Sequence, residues 1–263
     1  MDLSIVIPAF NESPRLGGTL RQVIDYLRQD GRRYEVLVVD DGSSDGTSEV
    51  AAGFTSEGVK VLRQDVNRGK GAVLRVGVLA SAGAEVLLVD ADLSTPIQDL
   101  EKLRPRLAEA PVVLGSRAVE GARITKRQPL HREMMGRTFN LLIRLLGVRG
   151  LRDTQCGFKL LEGDVARHLF SEMTIERFAY DVELVWLARR HGYRVVEVGV
   201  TWEDSPQSRV DPLKDSLRML RDVVSLRLRD WRRQPHGRGH GRQASPVNPA
   251  GSEPERSGGI AKR

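Results

Sequence analysis

Asp90 and Asp92, one residue apart in the run Asp90-Ala91-Asp92, are the side chains of this sequence best suited to hold a hard cation. Mg2+ or Mn2+ binds one or two carboxylates and fills its other positions with water and phosphate oxygens. Such a cation would neutralise a diphosphate leaving group. A lone Asp-x-Asp is common by chance, so its company matters. Pro8-Ala9-Phe10-Asn11-Glu12, the stretch from Asp40 to Thr47, and Gly115-Ser116-Arg117 each place polar residues directly after an apolar run. Singly, each has a plain explanation, because Asp-Gly makes turns and an Asp at a strand end caps the next helix. All of them at one sheet edge are hard to read as turn chemistry, since ligands of open α/β sheets bind outside the carboxyl ends of the strands. The chain has no Gly-x-x-x-x-Gly-Lys-Ser/Thr, which excludes a P-loop enzyme. Its first apolar run is not followed by Gly-x-Gly-x-x-Gly, so a Rossmann dinucleotide site is unsupported.

The elements that must position these residues alternate. Apolar runs at Leu3–Pro8, Tyr34–Asp40, Val59–Arg63, Val86–Asp90 and Val112–Ser116 predict strands. Between them, helical spacing predicts helices over Pro14–Gln29, from near Gly46 with Asp45 as a cap, and over Lys70–Ala82 and Ile97–Glu109. This alternation predicts an α/β fold, a mainly parallel sheet with helices on both faces. After Arg117 the pattern changes. Helices are expected over Glu133–Leu146, Gly163–Ser171 and Asp181–His191, and a strand over Val195–Thr201. A final helix opens at Asp211 or Ser216, with Leu217, Leu220, Val224, Leu228 and Trp231 as its apolar stripe and six Arg between 218 and 233. The stripes of Glu133–Leu146 and of this last helix fit either sheet packing or a membrane headgroup region.

The 263 residues suit one large domain or two small ones, with enough chain for a sizeable core. The formal charge of +6 is mostly a property of the tail. Seven Lys/Arg and two Glu lie between Arg232 and Arg263, and residues 1–231 are nearly balanced. That balance argues against nucleic acid, which needs a basic face. Residues 232–263 are polar and rich in Gly and Pro, and a disordered basic tail is expected there. Cys156 is the single cysteine, which excludes an intrachain disulfide and fits a reducing compartment. Its expected role is a small buried thiol. No stretch of 18 residues is free of charge, so no conventional transmembrane helix is expected, and the opening Leu3-Ser4-Ile5-Val6-Ile7 gives no signal-peptide pattern.

The runs Val6-Ile7-Pro8-Ala9-Phe10-Asn11-Glu12, Val38-Val39-Asp40-Asp41-Gly42-Ser43, Asn67-Arg68-Gly69-Lys70-Gly71 and Asp90-Ala91-Asp92 resemble the inverting family 2 glycosyltransferases with a Rossmann-like GT-A fold. Downstream, Gly115-Ser116-Arg117, the run Arg152-Asp153-Thr154-Gln155-Cys156-Gly157-Phe158-Lys159 and the stretch Glu176–Leu184 look like the dolichyl-phosphate β-glucosyltransferases, with dolichyl-phosphate mannose synthases as close relatives. The resemblance spans roughly residues 3–230. It implies a nucleotide-sugar-binding half at 1–117 and an acceptor half at 118–231, the latter including a C-terminal helical extension. It implies that Pro8, Phe10, Glu12, Val39 and Asp41 form the base and ribose pocket. Asp90, Ala91 and Asp92 would form the donor and metal site, with Asp90 and Asp92 as ligands of Mg2+ or Mn2+. Ser94 stands where the mannose synthases have a Gln near the metal. Arg117 and Arg132 would face donor and acceptor phosphates, and Ser208-Arg209 would lie on a loop closing over the nucleotide. Asp153 and Gln155 would lie in the acceptor and catalytic region.

The implied activity is transfer of glucose from UDP-glucose to a dolichyl or polyprenyl phosphate, by a protein peripheral to the cytoplasmic face of a membrane. Elementary chemistry agrees with such an acceptor. A phosphate monoester has its second pKa near 6, so its oxygen is anionic at pH 7 and hardly needs a general base. The work left is placement and charge stabilisation, for which Arg is suited by its bidentate fork. Asp153 would orient acceptor or sugar, or else form an ion pair with an Arg. Three other readings stay open. One is transfer from GDP-mannose. Another is a soluble transferase acting on a small phosphorylated or hydroxylated acceptor. The third is a non-catalytic nucleotide-sugar-binding protein, against which the presence of both Asp90 and Asp92 argues.

The tail yields a first prediction. Deleting residues 236–263 should leave the melting temperature within about 1 °C, because so polar a segment has almost nothing to bury. A fall of many degrees in a calorimetric scan would show that the tail packs.

Overall fold

The computed structural model describes residues 1–126, 150–204 and 212–233, the last stretch with side chains at 218–228. Chain order runs β1 (Leu3–Ala9), α1 (Ser13–Asp30), β2 (Tyr34–Asp40), α2 (Thr47–Ala52), β3 (Val59–Arg63), α3 (Lys70–Ala80), β4 (Glu85–Leu88), α4 (Leu100–Leu103) and β5 (Val112–Ser116). It continues with β6 (Arg123–Lys126), β7 (Lys159–Glu162), α5 (Gly163–Glu172), α6 (Tyr180–Arg190), β8 (Val195–Gly199), β9 (Thr201–Glu203) and α7 (Pro212–Arg233). Seven strands form one sheet in the order β3-β2-β1-β4-β7-β5-β8, parallel except for β7, which pairs antiparallel with both neighbours. The pair β6–β9 stands apart as a two-stranded parallel ribbon.

Strand alternation sorts the core into two layers. Ile5 and Ile7 of β1 point to one face, where Leu16, Leu20, Val23, Ile24 and Leu27 of α1 and Leu100 and Leu103 of α4 cover them. Val6 points to the other face, under Val73, Leu74 and Val78 of α3, with Leu169 and Phe170 of α5 and Leu184 of α6 in the same layer. The predicted α/β architecture with helices on both faces is therefore the observed one. The close seat of α3 requires a glycine. A Cβ on Gly77 would lie 2.4 Å from Val6 Cγ1 and 2.8 Å from Val39 Cγ2.

Four expectations need correction. The helix expected over Ile97–Glu109 is broken into a four-residue α4 between 3-10 turns at Ile97–Asp99 and Arg104–Ala108. Pro105 lacks the N–H that a continuous helix would use. The strand expected to run to Asp90 stops at Leu88, which puts both carboxylates beyond the last paired residue. The expected Val195–Thr201 strand divides at Val200 into β8 of the sheet and β9 of the ribbon. Finally, the predicted stripe of α7 is offset. Met219, Val223 and Leu226 face the core, while Val224 and Leu228 are exposed. β7 was not foreseen, since its four residues begin with Lys159 and end with Glu162. The expected helix over 133–146 lies outside the described residues. Among the described residues, no helix is long and apolar enough to cross a membrane.

Gly77→Ala should destabilise the fold although Ala is the better helix former. The helix gain is up to about 1 kcal/mol, and overpacking against β1 and β2 costs about 1–3 kcal/mol. Thermal unfolding should show a midpoint lower by several degrees. An unchanged or raised midpoint would mean that α3 can lift off the sheet at no cost.

Candidate active site

The carboxyl ends of β1 and β2 lie side by side, with Ala9 opposite Asp40. Just beyond, Asn11 adopts a left-handed φ of 53°. Its side-chain oxygen accepts from the Ser44 N–H at 2.8 Å, and its own N–H donates to Ser43 Oγ at 2.8 Å. Asp40 is fully buried and turns the chain, accepting from the Ser43 N–H at 2.9 Å and from the Ser48 hydroxyl. Asp45 stands one residue before the cap position expected of it, since Gly46 is the N-cap of α2, and it braces the first residues of α1 and α2 instead. One carboxylate oxygen takes the Thr47 N–H and the other the Ser13 N–H, each at 3.2 Å. These bonds account for much of the Asp-Gly-Ser-rich segment as scaffold.

Asp41 reaches to the next connection instead. Its two oxygens accept from the backbone N–H groups of Arg68 at 2.7 Å and Gly69 at 2.8 Å. Burial pushes its pKa up despite those two donors. It thereby fixes the entry to α3, whose first residue is Lys70. Glu12 is held by Arg15 through both guanidinium and carboxylate. Arg15 in turn stands 3.8 Å from Asp92.

Lys70 Nζ lies 2.5 Å from Asp90 Oδ1. Burial acts to raise the Asp90 pKa, but Lys70, with Lys159 and Arg117 behind it, holds the carboxyl below its usual range. Asp92 accepts the Ser94 N–H at 3.0 Å. Both carboxylates are partly exposed and sit at the mouth of the edge, at 33% and 20% of their side-chain surface. This oxygen-only donor set in an open position fits Mg2+ or Mn2+. Gly157 backs Asp90 so closely that a Cβ there would lie 2.0 Å from Asp90 Oδ2.

Below the opening the charges pair in a buried layer. Arg117 meets Asp153 with Nε at 2.7 Å and an Nη at 2.9 Å, and its backbone N–H adds a third bond at 3.0 Å. Burial raises the Asp153 pKa, and the Arg117 guanidinium more than offsets this, leaving it lowered. The Arg117 guanidinium also lies 5.3 Å from the Trp202 ring centroid. Lys159 is fully buried, donating to the Asp181 carboxylate and, at 2.6 Å, to the Cys156 carbonyl. The Tyr180 ring lies near two ammonium groups, 5.8 Å from Lys70 Nζ and 5.3 Å from Lys159 Nζ. Cys156 is buried and its thiol pKa is pushed up by that burial, as expected of a packed thiol.

A loop outside this layer holds Lys70 in place. Glu183 of α6 accepts the N–H groups of Thr174 at 2.9 Å and Ile175 at 2.7 Å. The loop then presses its carbonyls onto α3, where Glu176 accepts the Ala72 N–H at 2.9 Å. A Cβ on Gly69 would lie 2.7 Å from the Glu176 carbonyl, and one on Gly71 would lie 2.4 Å from that of Ile175. The glycines of Asn67-Arg68-Gly69-Lys70-Gly71 thus permit the approach that sets Lys70 against Asp90.

The structure brings Pro8, Phe10, Glu12, Asp41, Asp90, Asp92 and Arg117 to the expected edge. Val39 is there only by backbone, because its side chain is buried in the core beneath α3. Ala91 is likewise buried, and its carbonyl accepts the Thr19 hydroxyl at 2.7 Å. Asp153, expected to face acceptor or sugar, is 2% exposed and grips Arg117, which is the ion-pair alternative. Arg132, Ser208 and Arg209 lie outside the described residues. Lys70, Gly157, Lys159 and Asp181 carry parts of the site that sequence reasoning left without a role. They stand inside runs singled out above, but no linear spacing shows which cation meets which carboxylate.

Residues 4–170 match the model of the family described as Glycosyl transferase family 2. The chain is 38% identical over 244 residues to the dolichyl-phosphate beta-glucosyltransferase of Mus musculus, covering 86% of this chain and 75% of that one. Among solved structures, mannosyl-3-phosphoglycerate synthase from Rubrobacter xylanophilus superposes with a TM-score of 0.64 at 22% identity, over 92% of this chain and 79% of that one. Glucosyl-3-phosphoglycerate synthase from Mycobacterium tuberculosis, solved with Mn2+ and UDP-glucose, gives 0.64 at 20% identity over 87% and 78%. At that identity these two structures speak for the fold.

Gly157→Ala should move the Asp90 carboxylate, the more yielding partner of the clash. Calorimetric titration with Mn2+ should then show affinity weaker by about tenfold or more, in line with disturbed metal-site support. The melting temperature should fall only a few degrees. Unaltered Mn2+ affinity would show that Asp90 is not a ligand.

Proposed function

The chain belongs to glycosyl transferase family 2, and from that premise we propose that it transfers glucose from UDP-glucose to a dolichyl or polyprenyl phosphate with inversion at the anomeric carbon. The carrying observation is the makeup of the sheet edge. Asp90 and Asp92 stand open beside Lys70, with Arg117 held ready by Asp153. The described histidines, His168 and His191, instead gather around Glu172. A site of carboxylates and cations suits a nucleophile that needs no base, and a phosphate monoester is one.

In this reading the acceptor phosphate oxygen attacks C1 of glucose as the bond from C1 to the diphosphate oxygen breaks, and UDP departs. A divalent cation at Asp90 and Asp92 supplies neutralising charge for that diphosphate. Lys70 keeps Asp90 ionised. Arg117 spends two of its five N–H donors on Asp153 and offers the rest to phosphate. Asp153 is then a positioning residue that keeps the guanidinium oriented. Pro8, Phe10, Glu12 and Asp41 border the nucleotide, joined by the backbones of Val39 and Ala91, and Arg132 and Arg209 complete the phosphate contacts. The division into a donor half at 1–117 and an acceptor half at 118–231 belongs to the same proposal, as does the basic tail at 232–263.

The acceptor lipid requires attachment at a membrane surface. α7 supports this with Val224 and Leu228 exposed beside Arg221 and Arg227. An apolar edge flanked by Arg suits the headgroup region of an anionic bilayer. The proposed location is the cytoplasmic face.

The test is transfer from UDP-glucose or GDP-mannose to polyprenyl phosphate in detergent with Mg2+ or Mn2+. Glucosyl transfer is expected, with EDTA abolishing it. Asp92→Asn should lose roughly 100-fold or more in kcat while melting within a few degrees of the parent, because the leaving group loses its cation. Arg117→Lys should retain more activity than Arg117→Ala, since Lys keeps the charge and loses the fork. Full activity of Asp92→Asn removes the metal assignment. Glucosylation of a water-soluble acceptor with polyprenyl phosphate ignored replaces the lipid reading with the soluble-transferase one.

A further inference from the structure

Away from the sheet edge, one cluster carries ligand chemistry that sugar transfer does not use. His168 and Glu172 stand four residues apart on α5 and so share a helix face. His191 caps the C-terminal end of α6. Glu172 Oε1 lies 3.1 Å from His168 Nε2 and 2.9 Å from His191 Nε2. One donor atom from each of the three falls within 4.8 Å of the others, and all three side chains are exposed. Tyr193 Oη lies 3.3 Å from His168 Nδ1. There it can accept the Nδ1 proton and leave the Nε2 lone pair toward the cluster, the outer support that metal-ligating imidazoles use.

We propose that His168, Glu172 and His191 form a surface site for a borderline-soft divalent transition cation, Zn2+ foremost, separate from the carboxylate pair of Asp90 and Asp92. Two imidazoles and a carboxylate are a donor set that Zn2+ takes, with a fourth position left for water. Ligand bonds of about 2.0–2.1 Å place tetrahedral donors about 3.3 Å apart. The two separations from Glu172 are already near that value, so the carboxylate needs little movement to share an ion with either imidazole. Mg2+ and Mn2+ prefer oxygen, so the two sites select different ions. Bound here, the ion ties α5 to the end of α6. Those two helices flank the loop of Thr174 to Arg177 that seats Gly69 and Gly71, so the ion braces the support behind Lys70.

The experiment titrates Zn2+ into the full chain in saturating Mg2+, read by calorimetry and by thermal unfolding. One-to-one binding is expected, with a melting point raised by about 5 °C at saturation. His168→Ala and His191→Ala should each weaken Zn2+ affinity about tenfold or more. Because both side chains are exposed, the variants should melt near the parent when Zn2+ is absent. Replacing His131, His236 and His240 together should leave the affinity within about twofold of the parent, as none belongs to the site. The proposal is overturned if Zn2+ gives no thermal shift. It is overturned equally if His168→Ala and His191→Ala bind Zn2+ like the parent, or if only Asp92→Asn or the replacement of the other three histidines removes binding.

Discussion

Opposite charges packed beneath the carboxyl edge of a sheet must neutralise one another, and the arrangement of this protein follows from that requirement. Asp90 meets Lys70, Asp153 meets Arg117, and Asp181 meets Lys159. A charge taken out of water costs several kcal/mol unless it is paired and hydrogen-bonded. None of these partners can be removed without stranding another. The pairs also touch through third parties. The Tyr180 ring lies near both Lys70 and Lys159, and the Cys156 carbonyl accepts a hydrogen bond from Lys159. The result is a field of paired charge that includes Asp90 and stands beside Asp92, the two carboxylates that open to solvent.

Such a field suits the proposed reaction, in which the nucleophile is already an anion. Nothing then has to remove a proton, and rate comes from placing two phosphates and balancing their charge. Precise placement explains why backbone contacts are so close around the site. Gly157 lets Asp90 lie against the chain, Gly69 and Gly71 let the loop from Thr174 to Arg177 press on α3, and Glu183 anchors that loop from below. Each is a contact of main chain with main chain or with a carboxylate, which no larger residue would allow.

The inserted strand β7 links these parts. It runs antiparallel between β4 and β5, and so carries Lys159 into the centre of the sheet beside Leu88, just before Asp90. Its preceding residues deliver Asp153 to Arg117 and Gly157 to Asp90. One short strand from the second half of the chain thus completes a site whose carboxylates come from the first. α5 and α6, which follow it, place Asp181 and Glu183 inward and His168, Glu172 and His191 outward.

Much of this was legible in the linear sequence, for physical reasons. Apolar runs of strand length and helices with stripes at 3.6-residue spacing gave the parallel core from β1 to β5, because burial on one or both faces writes itself into local pattern. Asp41, Asp90, Asp92 and Arg117 were found because each directly follows such a run, and the topology of open sheets then puts them at one edge. Asp45 binds the first N–H of α2 from one residue before the N-cap, Gly46. What stayed hidden was pairing. That Asp153 grips Arg117, that Lys70 reaches Asp90, and that Lys159 is buried against Asp181 depends on segments brought together from 20 to 36 residues apart. β7 escaped notice since four residues with a charge at each end carry no strand signal, and only its neighbours in the sheet make a buried lysine tolerable. The face of α7 was misjudged because a stripe shows amphipathicity but not which side meets the core. Sequence determined which residues could do chemistry; tertiary structure decided which of them face each other, since desolvated charges choose partners in space and not along the chain.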